Sequence, residues 1–251
     1  MARKRRDVCA AGARRRSGWR RAAALAAAAI AAFLAWAAVY AVSMQPRLMT
    51  VPALVRARLA RSGGTWVPYD RIPPFLVQAV IATEDRSFWT NPGISFEGTA
   101  RAALVDLERG AFVQGGSTLQ QQIVRDLFLT PRKTIGRKIR GTVLSVLLTL
   151  DFPRPEIMAF YVNEVYLGYG AYGLESAART YFGRPPSALT AAQCALLAGL
   201  PQAPSAYDPL VHRTAAKARQ AVVLGSMVQA GYLSAARARA LLRAPLGLRR
   251  P

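Results

Sequence analysis

Histidine occurs once in the 251 residues, at His212 just after Asp208-Pro209, so a zinc site built from several histidines is excluded. Cysteine occurs twice, at Cys9 and Cys194, too few for a disulfide-stapled scaffold. Acids are scarce: 13 against 34 lysines and arginines, a formal net charge of +21. Of those bases four are lysines, namely Lys4, Lys133, Lys138 and Lys217. No β-hairpin signal and no internal repeat is present. With 52% hydrophobic residues the chain is not a disordered polycation.

The charge is concentrated at the start. Residues 1–21 hold nine basic side chains against the single acid Asp7, whereas residues 22–46 hold no charge at all. An uncharged apolar run of that length matches a bilayer core, which needs about 20 helical residues. The basic flank then places the N-terminus in the cytoplasm and the remainder outside. Trp36 and Tyr40 fall near the outer interface. A cleaved signal peptide is the alternative, with Ala-Val-Ser-Met after Tyr40 as a poor cleavage site and a run longer than the usual signal core. The basic arm, beside a membrane span, is explained by topology and anionic lipids rather than by nucleic acid. The same topology puts Cys9 and Cys194 on opposite sides, and Cys194 lies in an apolar run that reads as a buried thiol. The expected organisation is a basic cytoplasmic arm at 1–21, a membrane helix at 22–46, a stalk at 47–68 punctuated by Pro52, Gly63, Gly64 and Pro68, and a globular domain at 69–251.

Beyond Tyr69 the periodicity is helical, and the fold class is mainly α. An apolar helix opens at Pro73-Pro74 and closes at Glu84-Asp85, bringing both carboxyls to the end of a buried rod. A second helix is expected from Phe96 to Arg109 and a connector at 110–116. Ser117 or Thr118 then caps a helix to Leu129, and Thr134 one at 135–150. Further helices are expected at 156–167, from Leu189-Thr190, at 213–230 and at 234–243.

Two segments carry chemistry. Residues 84–95, Glu-Asp-Arg-Ser-Phe-Trp-Thr-Asn-Pro-Gly-Ile-Ser, place adjacent carboxylates before aromatics. Residues 115–122, Gly-Gly-Ser-Thr-Leu-Gln-Gln-Gln, form a glycine turn opening into a helix start, a cradle for anions. Lys133, Arg137 and Arg140, spaced by four and three, share a helix face, with Lys138 adjacent. A surface ion pair for Glu84, a plain N-cap for Ser117 or Thr118, and a solvated basic face are the bland readings of these features.

Together with Arg137-Lys138 and the segment 160–209, FYVNEVYLGYGAYGLESAARTYFGRPPSALTAAQCALLAGLPQAPSAYDP, the two segments resemble the family 51 glycosyltransferases, the peptidoglycan transglycosylases. The resemblance implies a lysozyme-like head lobe with a smaller membrane-associated jaw, near 97–114 and 119–129. It implies that Glu84 is the general base activating an acceptor sugar hydroxyl, with Asp85 in support. It implies substrate contacts from Ser117, Thr118, Gln121, Gln122 and Arg125, and a grip on pyrophosphate by Lys133, Arg137 and Lys138. The substrates would be lipid II and the nascent glycan strand, with membrane lipids and cell-wall synthesis proteins as partners and no nucleic acid. The site would be the outer face of a bacterial cytoplasmic membrane. Mg²⁺ or Mn²⁺ is the cofactor to expect, and no organic one.

The chain departs from the family pattern at three places. Gly141 stands where the third motif carries its second carboxylate, Asn91 where a histidine is usual, and Tyr169 where an asparagine is frequent. Asp126, Asp151, Glu164 or a metal could cover the missing charge, or turnover is impaired. None of the four lysines has serine three residues before it, so the Ser-x-x-Lys element of a transpeptidase is absent and a monofunctional enzyme is expected. Two other readings compete: a member that binds lipid II or regulates a synthase without catalysis, and a glycan-cleaving enzyme, which would have no pyrophosphate to hold.

Overall fold

A computed structural model describes residues 2–95, 98, 116–132 and 134–249, with side chains in that range except at 2–18 and 21. The helix expected at Phe96–Arg109, nearly all of the connector at 110–116, the jaw segment at 97–114 and Lys133 lie outside the described residues. The described chain divides into two units, residues 1–46 and 47–251.

The first unit lies within helix α1, Ala2–Leu48. Its stretch Ala22–Leu48 is long and apolar enough to cross a membrane, and its most apolar window is nowhere buried. Leu25, Ile30, Leu34, Val39 and Val42 stand exposed, and Trp36 stacks on Tyr40 with ring centroids 5.5 Å apart.

The second unit is helical throughout its described residues, apart from short turns and one isolated bridge between Tyr166 and Tyr172. Its helices are α2 (Val51–Arg61), α3 (Pro74–Glu84), α4 (Leu119–Phe128), α5 (Ile135–Asp151), α6 (Arg154–Glu164), α7 (Gly173–Phe182), α8 (Ala191–Gly199), α9 (Arg213–Gln229) and α10 (Ala235–Arg243). Their starts follow local chemistry. Thr118, Thr134, Thr190 and Ser234 each accept a backbone N–H from three residues on. At Thr118 and Thr190 a glutamine returns the bond, completing a capping box that satisfies two otherwise orphaned donors. Prolines open α2, α3 and α6, where a missing N–H costs nothing.

The core is built around α3, which packs against both α8 and α9. Leu76, Val77, Ala79, Val80, Ile81 and Ala82 of α3 are all buried, so the helix is apolar around most of its girth. On the other side α4 packs on α5 and α6. The segment read as a stalk contains α2, whose Val51, Val55 and Leu59 are buried and which packs against α6. Helix α7, for which no separate start was read from sequence, ends at Gly183 in the left-handed conformation typical of helix stops.

Candidate active site

Helix α3 ends at Glu84 because Asp85 leaves helical geometry, with φ −153° and ψ 84°. The buried rod therefore presents two carboxyls at its tip, and the two have different surroundings.

Asp85 is 5% exposed and fully engaged. Its carboxylate accepts from Ser87 Oγ, twice from Asn91 Nδ2, and from the backbone N–H of Leu119 at 3.2 Å. That last bond ties the 84–95 loop to the first turn of α4, where a negative charge is favoured. Asn91 extends the tie: its Oδ1 accepts from Gly93 N at 2.9 Å and Gln120 Nε2 at 3.4 Å, and its backbone carbonyl accepts from Arg154. Thr118 Oγ1 donates to the Gly93 carbonyl at 2.7 Å. Gly93 itself has φ +97° and lies against the backbone of Ser145 in α5, leaving no room for a Cβ. Burial pushes the Asp85 carboxyl up, opposed by its bonds from Leu119, Ser87 and Asn91.

Glu84 keeps more freedom. Its side chain is 16% exposed, and its Oε2 accepts from Gln122 Nε2 at 3.0 Å while its Oε1 lies 3.7 Å from an Arg219 guanidinium nitrogen. Burial raises its pKa above the usual carboxylate value; the Gln122 bond and the charges of Arg219 and Arg125 pull it back in part. A carboxyl at a helix tip, partly accessible and with affinity for a proton, is equipped as a general base. Tyr161 lies within electrostatic reach of Glu84, and its buried hydroxyl has no hydrogen-bond partner among the described residues. Burial, then the Glu84 charge, drives its pKa well up.

Beyond Tyr161 lies a second acidic group. Arg125 forks onto Asp126 at 2.6 and 3.0 Å, and Arg58 of α2 pairs with Glu164 and donates to the Asp126 carbonyl. Glu164 is 3% exposed, and burial followed by the neighbouring Asp126 pushes its carboxyl up to about 7 despite Arg58.

The remaining expected residues fall as follows. Thr118 and Gln121 spend their facing atoms on the α4 capping box, whereas Ser117 is exposed at the helix mouth. Arg137 and Lys138 sit in the first turn of α5, Lys138 exposed and Arg137 half-buried with its Nε unpartnered among the described residues. Gly141 lies on the buried face of α5, and a Cβ there would meet Leu129 Cδ1 at 3.1 Å. Leu129 thus packs against the position at which the family resemblance led a carboxylate to be expected. Among the described residues no group of three His, Cys, Asp or Glu could hold a metal ion, and the paired acids Asp126 and Glu164 already face Arg125 and Arg58. Among the described residues, the donor set does not fit a resident divalent cation.

Arg219 was missed from sequence. Its register held the signal: it shares a face of α9 with Ala216 and Val223, both buried, so a charge there enters the core and needs a partner.

The chain is similar to several known proteins. A family model described as Transglycosylase matches residues 53–228. A relative from Cupriavidus necator whose name also carries the word transglycosylase is 39% identical over 199 residues, covering 79% of this chain and 86% of that protein. Penicillin-binding protein 1A of Aquifex aeolicus is 43% identical over 169 residues, covering 67% of this chain and 23% of that protein. The chain spans about a quarter of the length of such penicillin-binding proteins. A crystal structure of penicillin-binding protein 1A from Haemophilus influenzae covers 74% of this chain and 18% of its own at 24% identity, with a TM-score of 0.45. By the extent of the family match and the near full-length relative, the chain belongs to the transglycosylase family.

Proposed function

We propose that this protein polymerises peptidoglycan glycan strands from lipid II, with Glu84 as the general base. The observation that carries the reading is the Glu84 carboxyl, partly exposed at the tip of a buried helix and raised in pKa by burial. In the reaction the 4-hydroxyl oxygen of the acceptor sugar forms a bond to the donor's anomeric carbon. The bond from that carbon to the pyrophosphate breaks with its electron pair leaving on the phosphate, and the hydroxyl proton passes to Glu84. Undecaprenyl pyrophosphate departs as an anion and needs fixed positive charge. Arg137 and Lys138 of α5, together with Lys133, are assigned to it, and Ser117 at the mouth of α4 and Arg125 in its last turn to the sugar and phosphate oxygens. Gln122 orients Glu84, while Asp85, Thr118 and Gln121 hold the loop against α4. No step is routed through a metal.

The apolar stretch Ala22–Leu48 anchors the enzyme in the bacterial cytoplasmic membrane, with the catalytic unit outside, where lipid-linked substrate is presented. Polymerisation of labelled lipid II by the full chain in detergent tests the reading. Chains of product that vanish with Glu84→Gln are expected; undiminished polymer from that variant refutes the base assignment. A second reading is favoured by one observation, the leucine-covered Gly141. On it the protein binds lipid II without turnover, and retained lipid II binding with no polymer from the unmodified chain would establish it.

A further inference from the structure

We propose that Arg219 is a positioning residue for this reaction: anchored on the end of α8, it holds the Glu84 side chain opposite Gln122 and favours its ionised form. The inference rests on the role proposed for Glu84 and adds a residue that the sequence motifs do not contain.

Three observations support it. Arg219 is largely enclosed, with a side chain 10% exposed, and one of its guanidinium nitrogens lies 3.7 Å from Glu84 Oε1, an ionic contact beyond hydrogen-bond length. A buried guanidinium stays charged and needs a counter-charge close by. Its Nε donates at 3.0 Å to the carbonyl of Gly199, the last residue of α8, a helix end that favours cations. The guanidinium is therefore anchored through Nε and faces Glu84 across an ionic contact. Lastly, Gly199 is what lets the arginine lie there: a Cβ at 199 would come within 2.9 Å of Arg219 Cγ and 3.2 Å of Val223 Cγ2. Glycine costs helix stability, and here it opens the path of a charged side chain across α8.

The neighbourhood of Glu84 is otherwise mixed in sign. Arg219 faces it from α9, Arg125 and the neutral Gln122 from α4, Tyr161 from α6, and Asp85 adjoins it on the chain. Helix α8 contributes the Gly199 carbonyl, through Arg219. Burial and Asp85 favour the protonated form, while the Gln122 bond and then the charges of Arg219 and Arg125 favour the base-competent carboxylate. Of the two arginines Arg125 is already forked onto Asp126, which leaves Arg219 as the less compromised charge.

The test is a titration of the six glutamate carboxyls by ¹³C NMR in the full detergent-solubilised chain, with Glu84 identified by its loss in Glu84→Gln. Arg219→Gln is expected to move the Glu84 midpoint upward by about 1 pH unit or more. Gly199→Ala, which pushes Arg219 aside and leaves every charge in place, should move it the same way, whereas Arg219→Lys, which keeps the charge, should leave the midpoint close to that of the unmodified protein. The acid limb of the polymerisation rate should follow these midpoints. A Glu84 midpoint unchanged in folded Arg219→Gln or Gly199→Ala protein overturns the proposal, even if activity falls. The titration needs no turnover, so an unmodified chain that makes no polymer counts against the proposed function and leaves this readout intact.

Discussion

The contact between the 84–95 loop and α5 offers a sharp test of how the site is assembled. Gly93 has φ +97°, and a Cβ there would lie 2.3 Å from the Ser145 carbonyl oxygen, 2.6 Å from its carbon and 2.9 Å from Thr149 Oγ1. Two of those three atoms are helix backbone and cannot rotate away. Gly93→Ala therefore meets two costs. The left-handed backbone alone costs an L-residue about 1–2 kcal/mol. Displacing the loop from α5 also strains the Asn91 bond to Gly93 N and the Thr118 bond to Gly93 O, each worth about 1 kcal/mol. A total of about 3–4 kcal/mol is expected, or a fall of roughly 10 °C in Tm for a unit of this size. Gly63→Ala is the control: Gly63 has φ +67° but no atom within 4 Å of the added Cβ, so it should lose about 1 kcal/mol. Thermal unfolding of both variants in the same detergent separates steric exclusion from backbone strain. Equal losses for the two variants would refute the claim that the loop is locked by contact with Ser145.

Two further outcomes follow from the geometry. The Glu164 carboxyl, at about 7 when folded against an ordinary 4.5, contributes stability that is complete below pH 4.5 and is lost as pH rises to 7. Relative to Glu164→Gln, the unmodified protein should lose up to about 3 kcal/mol across that window, read by denaturant unfolding at pH 4.5 and 8; a constant difference between the two proteins would remove the burial argument. Tyr169 adopts φ +50° and is 54% exposed, so Tyr169→Asn should gain about 0.5–1 kcal/mol, and an unchanged or lower Tm would show that the ring packs more than its exposure indicates.

Much of the helical framework was legible because its signals are local. Thr118, Thr134, Thr190 and Ser234 cap the helices they precede, and each cap depends on residues within a single turn. The end of α3 at Glu84-Asp85 was legible from the close of an apolar run. Helix α2 was less so: its prolines and glycines read as a linker, and burial of Val51, Val55 and Leu59 is what gives it a place in the core. The departure at Asn91 also acquires a meaning from the structure, since its amide gives to Asp85 and its carbonyl oxygen takes from Gly93 and Gln120.

By itself the sequence determined the helical class, the charge-free stretch at 22–46, the family and Glu84 as the base to examine. The first two rest on periodicity and composition, where each signal spans a few turns; the family and the base follow from the resemblance of the motif segments. The tertiary structure decided what surrounds that base. Arg219 lies 135 residues from Glu84 and Arg58 lies 106 from Glu164, yet each pair meets across helix contacts. The proton affinity of a carboxyl depends on burial and on charges within a few ångströms, and those distances exist once the helices have packed.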